Sequence, residues 1–167
     1  MGAIRPVRIE DSKELLGIYN YYVVNSIVTF DLEPLTLREF EEKVRTIITS
    51  YPFIVFEEEG IILGYAYASK WRKKPAYNFT VESTVYVRQD AHGKQIGSKL
   101  YAELLRLLKQ GSCHVVIGGL TLPNEASVKL HEKFGFEKVA HFKAVGLKFG
   151  RWLDVGFWQL QLDKETV

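Results

Sequence analysis

Residues 85–98, Val-Tyr-Val-Arg-Gln-Asp-Ala-His-Gly-Lys-Gln-Ile-Gly-Ser, run from an apolar β-rich segment through a polar loop into a helix. Ile96, Leu100 and Leu104 recur at i, i+4, i+8 and mark the helix. Strand, glycine loop and helix start can hold a phosphate. Glycine lets backbone come close, and the unpaired amides of a helix N-terminus point at the anion. The helix dipole and Lys94 add positive charge there. The same glycines could make only a turn, so both readings stand at this point. The stretch is not a Walker loop, since the Lys-Ser/Thr ending is missing, and it has no GxGxxG. Leu130-His131-Glu132-Lys133-Phe134 is not HExxH, and His92, His114 and His141 lack metal-ligand spacing, so no metal site is expected. Cys113 precedes Val115-Val116-Ile117 and reads as a small core residue rather than a nucleophile. Residues 71–77, Trp-Arg-Lys-Lys-Pro-Ala-Tyr, put three cations and two aromatics in one loop. Lys73 and Lys74 read as a solvated turn, whereas the guanidinium of Arg72 could grip a carboxylate.

These residues need a scaffold. Residues 3–9 read as a strand. Asp11 with Glu14 resembles a helix start, followed by the stripe Leu15, Ile18, Tyr19 and Tyr22. Residues 26–35 form an irregular link holding Phe30 and Pro34. Thr36 and Glu39 form a capping box ahead of Leu37, Phe40, Val44 and Ile47 on one helical face. Strands at 53–58 and 61–69 meet at Glu59-Gly60, a hairpin signal. A strand at 79–87 puts Phe79, Val81, Val85 and Val87 on one face and Glu82, Thr84 and Tyr86 on the other. The helix from Ile96 ends near Gly111. Residues 113–119 read as a buried strand, Asn124 caps a short helix to Phe134, and 135–145 with 152–162 read as a closing hairpin. The order β-αα-β-β-β-α-β-α-β-β predicts an α+β protein with a mixed, mostly antiparallel sheet flanked by helices. The strands at 79–87 and 113–119, linked by a helix, should form a parallel pair.

A chain of 167 residues suggests one domain, 1–167, long enough for a proper core. With 22 basic and 20 acidic residues the net charge is +2, which carries no nucleic-acid footprint. Only one cysteine is present, so no intrachain disulfide is possible, and a reducing, cytoplasmic setting is expected. No run approaches the ~18 apolar residues of a membrane span, and the N-terminus has no apolar signal region, so no membrane partner is expected.

Four pieces of the chain resemble the GNAT superfamily of acyl-CoA N-acyltransferases: residues 80–87 (Thr-Val-Glu-Ser-Thr-Val-Tyr-Val), the loop from His92 to Ser98, residues 122–127 (Leu-Pro-Asn-Glu-Ala-Ser) and residues 130–136 (Leu-His-Glu-Lys-Phe-Gly-Phe). The tail at 148–160, with Gly150-Arg151-Trp152-Leu153-Asp154, is similar to the phosphinothricin and methionine sulfoximine acetyltransferase subgroup. The superfamily loop is written Gln/Arg-x-x-Gly-x-Gly/Ala. Here His92 and Gln95 depart from it and Gly97 keeps its place, so Gln95 must point away from a diphosphate. The resemblance implies acetyl-CoA as co-substrate. It would be held by Val85, Tyr86 and Val87, by the loop residues His92, Gly93, Lys94, Gln95, Ile96, Gly97 and Ser98, and by Asn124, Ser127 and Lys133.

It also implies transfer to the α-amine of a small amino acid or analogue such as phosphinothricin, methionine sulfoximine or methionine sulfone. Acylation of a protein N-terminus or aminoglycoside, or a non-catalytic acyl-CoA sensor, are the alternatives. Glu82 is either a carboxylate on the wet face of a sheet or, as the resemblance implies, the general base. An amine titrating near ~8 must lose a proton before it attacks a thioester. His131 stands where many superfamily members carry Tyr near the cofactor sulfur. It is either a surface or capping histidine or a polar partner of the reacting centre. The resemblance places a substrate-carboxylate Arg at Arg72, with Phe30 and Tyr77 as pocket walls and Lys73 and Lys74 beside them. Trp152, Phe157 and Trp158 read as core and dimer surface, and a homodimer is expected.

Overall fold

The computed structural model describes residues 1–162. Seven strands make one sheet in the order β1-β2-β3-β4-β5-β7-β6: β1 Ala3–Pro6, β2 Phe53–Glu58, β3 Ile61–Lys70, β4 Thr80–Val87, β5 Val115–Leu122, β6 Glu137–Lys148 and β7 Arg151–Gln161. Among the described residues only β4 and β5 pair in parallel, as the helix between them predicts. The other neighbours are antiparallel. Helices α1 (Ser12–Asn25) and α2 (Leu37–Ile48) pack on one face, and α3 (Ile96–Gln110) and α4 (Glu125–Lys133) on the other.

Period-2 alternation builds two cores. Val81 of β4 joins Ile54, Ala66, Val116 and the α3 stripe Leu100, Leu104, Leu108. On the other face, Val55, Tyr65 and Tyr67 pack against Leu15, Ile18 and Val23 of α1 and Phe40 and Val44 of α2. The Thr36–Glu39 capping box forms at the start of α2. The β2–β3 turn has positive φ at both Glu59 (52°) and Gly60 (77°), the primed geometry that suits two-residue hairpins.

Several boundaries differ from expectation, β6 among them, expected at 135–145 and found at Glu137–Lys148; three have a clear physical cause. The first strand stops at Pro6, because a 3-10 turn at Ile9–Asp11 follows. Helix α1 begins at Ser12, but neither acidic residue caps it. Asp11 instead accepts the Arg8 amide at 2.7 Å and the Arg5 guanidinium at 2.8 Å. Glu14 accepts the Ile62 amide at 3.1 Å, tying α1 to β3. Asp11 thereby closes a capping box on the 3-10 turn, whereas Glu14 serves a tertiary contact that no local pattern reveals. Strand β5 starts two residues later than expected and runs on to Leu122, because β7 supplies partners along its whole length.

Candidate active site

The parallel β4–β5 pairing covers only Thr80–Glu82 against Val115–Ile117. Beyond it the strands part, while β4 stays paired to β3 as far as Val87. Arg88 donates its amide to Leu63 O. By the antiparallel alternation, even-numbered β4 residues bond to β3 and odd-numbered ones turn their backbone groups to the opening. The N–H and C=O of Val85 and the N–H of Val87 therefore face a cleft of about 800 Å3. An open strand edge of this kind can take up an extended ligand by backbone hydrogen bonds.

The glycine loop forms one end of the cleft. Gly93 has φ 83°, and a Cβ there would meet nothing within 4 Å. Gln95 takes the left-handed conformation (φ 59°) as the residue before α3. That conformation is why a glycine suits this position, and a side chain in it costs ~1–2 kcal/mol. No side chain caps α3. The first helical bond runs from Lys99 N to Gln95 O, so the amides of Ile96, Gly97 and Ser98 are left for an anion. Around them stand Lys133, whose Nζ donates to Ser98 Oγ at 3.2 Å, and Asn124, which caps α4 by accepting the Ser127 amide at 3.2 Å. The donor set fits a diphosphate. His92 is held differently from a phosphate ligand. Its Nε2 donates to Tyr22 Oη at 2.8 Å, and Tyr22 in turn donates to Val87 O. Lys94 is exposed and lies outside the cleft lining.

Glu82 points to the α1–α2 side. It is half-buried rather than on a wet face. It takes part in no hydrogen bond or ion pair with a described residue. Burial pushes its carboxyl above the ordinary carboxylate range, and Lys43 pulls in the opposite direction. A Cβ on Gly119 would lie 3.3 Å from Glu82 Oε1 and 3.0 Å from Phe157 Cε1. The glycine therefore leaves room in front of the carboxylate. Phe157 lines the cleft here, which corrects its reading as core and dimer surface. Register explains this: Phe157 pairs with Gly119, so it shares the face of Glu82. Trp158 is core at 2% exposure, and Trp152 is 66% exposed.

His131 is 3% exposed and not a surface histidine. Its Nδ1 donates to Ser127 O at 2.7 Å. Nε2 is thereby the acceptor and receives the Tyr101 hydroxyl at 2.9 Å. Tyr101 also bonds Ser83 Oγ. Burial lowers the pKa of the imidazole and raises that of the phenol, so both stand neutral near pH 7. Gly118 makes the close approach possible, since a Cβ there would sit 2.4 Å from His131 Nε2. Tyr101 and Ser83 escaped the sequence reading. Their one signal is a tyrosine beside a leucine stripe, where a buried hydroxyl must find a partner.

Phe30 reaches the cleft because its loop is fastened. Lys148 Nζ donates to Thr29 O at 2.8 Å, Tyr19 bonds Thr29 Oγ1 at 2.9 Å, and Asn20 holds Leu35 by two backbone bonds. Gly146 allows the contact, as a Cβ would stand 2.4 Å from the Phe30 ring. Arg72, Lys73, Lys74 and Tyr77 do not line the cleft. The Arg72 guanidinium lies over Trp71 at 5.3 Å and Tyr77 at 5.9 Å. Trp71 meets Phe157 edge-on at 5.6 Å, so this group stands at the rim. No cluster of metal-ligating side chains occurs among the described residues.

A family model described as "Acetyltransferase (GNAT) domain" matches residues 4–156. The chain is 42% identical over 167 residues to a phosphinothricin N-acetyltransferase of Streptomyces coelicolor, covering 95% of each. It is 36% identical over 168 residues to the L-amino acid N-acyltransferase MnaT of Escherichia coli, covering 98% of this chain and 96% of that one. A crystal structure of a phosphinothricin acetyltransferase from Sinorhizobium meliloti in complex with acetyl-CoA superposes with a TM-score of 0.94 at 34% identity, covering 96% of this chain and 88% of the other.

Proposed function

The chain belongs to the GNAT acetyltransferase family, and on that premise we propose that it transfers the acetyl group of acetyl-CoA to the α-amine of a small amino acid or analogue. Phosphinothricin, methionine sulfoximine and methionine sulfone are the candidate amines. Residues 1–167 make one such transferase domain in this reading. The observation that carries it is Glu82, a half-buried carboxylate that makes no hydrogen bond or ion pair among the described residues.

In this mechanism the amides of residues 96–98, with Lys133 beside them, hold the diphosphate, and the pantetheine arm lies along the open edge of β4. Acetyl-CoA supplies an activated acyl carbon when bound. Glu82, directly or through a water, takes a proton from the substrate ammonium, and the freed amine bonds to that carbon. The amide of Val85 or Val87 stabilises charge growing on the thioester oxygen. As the carbon–sulfur bond breaks, the thiolate needs a proton. We assign that donation to the Tyr101 hydroxyl, which turns its one proton from His131 Nε2 to the sulfur and recovers a proton, through water, from the newly acylated nitrogen, which has one to lose; His131 positions the phenol. In this reading the transfer is direct, without an acyl-enzyme.

The test is incubation with acetyl-CoA and a panel of amino acids, their analogues, aminoglycosides and N-terminal peptides, read by mass spectrometry. N-acetylated amino acids are expected. Acetylation of only the peptides or aminoglycosides would overturn the substrate class, and no product at all would favour a sensor.

We further propose a cytoplasmic homodimer. β6 is a sheet edge, and Val139, Phe142, Val145 and Leu147 on it are exposed, together with Trp152. An apolar edge strand needs cover. Light scattering should give twice the 19.2 kDa chain mass, and Trp152→Glu should shift it towards the single chain. A wild-type protein at the single-chain mass would refute the dimer.

A further inference from the structure

A second cavity, of about 420 Å3, opens on the α2 side of Glu82. Lys43 and Thr46 of α2, Tyr67 and Ser69 of β3, and Thr84 of β4 wall it together with Glu82. Two opposite charges thus face one space. No contact within 4.0 Å joins them, and neither makes a hydrogen bond or ion pair with any described residue. The Lys43 ammonium lies instead over the rings of Tyr19 at 5.3 Å and Tyr67 at 5.5 Å. Aromatic faces steady a cation without neutralising it. Partly buried charges cost free energy unless paired, so a cavity that keeps one of each sign apart is the complement of a zwitterion.

An amino acid is such a zwitterion, with its ammonium and carboxylate on one carbon. Glu82 claims the ammonium, since it must take a proton from it. The carboxylate then needs a cation on the other side of the same cavity. Arg72 was expected to supply it, but its guanidinium is stacked on Trp71 and Tyr77 at the rim and lines neither cavity. We propose that Lys43 pairs with the α-carboxylate of the substrate and makes this chain select free amino acids over their amides. This rests on the acetyl-transfer reading above. Charged and titratable groups near Glu82 are Lys43 from α2, Tyr67 from β3 and, across the sheet, Tyr101 from α3.

The experiment compares KM for methionine sulfoximine and for its carboxamide in wild type, Lys43→Met, Lys43→Arg and Arg72→Ala. Losing one half of a partly buried charge pair should raise KM for the acid by about 10- to 100-fold in Lys43→Met. The carboxamide, with no charge to pair, should be nearly unaffected, and Lys43→Arg should restore most of the acid's affinity. For the carboxamide, kcat on the high-pH plateau in Lys43→Met should be kept, while its acid limb moves up in pH because Lys43 no longer lowers the Glu82 carboxyl. Equal losses for acid and amide would mean that Lys43 acts on Glu82 and not on substrate, and would overturn the proposal. So would an acid-selective loss in Arg72→Ala without one in Lys43→Met. Calorimetric titration of the acid into each variant gives the same comparison without turnover. Wild type that acetylates neither compound would refute the amino-acid reading itself and, with it, the role of Lys43.

Discussion

Glu82→Gln is expected to lower kcat at pH 7 by roughly the ~10²–10⁴ of general acid–base catalysis, with acetyl-CoA affinity nearly unchanged. The amide keeps the shape of the side chain and removes the proton acceptor. The pH dependence sharpens the expectation. Burial holds the Glu82 carboxyl above its ordinary range, so in wild type activity is present above that raised value. It is lost as pH falls through it, at a higher pH than an exposed glutamate would give. In the variant this limb disappears and only the titration of the substrate amine remains. The deficit should therefore shrink as pH rises and the amine becomes neutral on its own. Rate profiles of both proteins across pH check this. Wild-type kcat in the variant at pH 7 would return Glu82 to a structural role.

Wild type is expected to bind acetyl-CoA in the micromolar range and Gly97→Trp to abolish that binding, with folding largely kept. A Cβ at Gly97 would meet Leu130 Cδ2 and Val87 Cγ2 at 3.7 Å, an ordinary contact. Gly97→Ala should therefore be close to neutral and serves as the size control. An indole has no such space and fills the region in front of the uncapped amides of α3. Calorimetric titration at low salt, with thermal melting of the same samples, separates lost binding from lost folding. Binding by Gly97→Trp at wild-type affinity would move the diphosphate away from this helix.

The elements were legible because their signals are local. The Thr36–Glu39 box, the Glu59-Gly60 turn and the stripe on α3 all formed where expected, since capping, positive φ and helical periodicity act within a few residues. Where local signs misled, a different partner or the backbone conformation decided. Asp11 and Glu14 look like helix-start residues but bind Arg5 and the Ile62 amide. Gln95 looks wrong for a phosphate loop, yet its backbone adopts the conformation a glycine would take.

The sequence by itself determined the order of elements, the single parallel pair, the glycine loop and the side of β4 from which Glu82 projects. Each follows from spacing along one segment. Only the tertiary structure decided which groups meet there. β4 and β5 part after Glu82, which opens the cleft and frees the Val85 backbone. His131, Tyr101 and Ser83 come from three elements and join through buried polar atoms that had to find partners. Phe157 belongs to the cleft because β7 sets it opposite Gly119, while Arg72 stays at the rim because two aromatic rings hold it. Lys43, about 40 residues before Glu82 in the chain, faces the same cavity only because α2 packs on β2 and β3, beside β4. Charge and hydrogen-bond pairing between distant segments depends on distances in space, and no spacing along the chain encodes those.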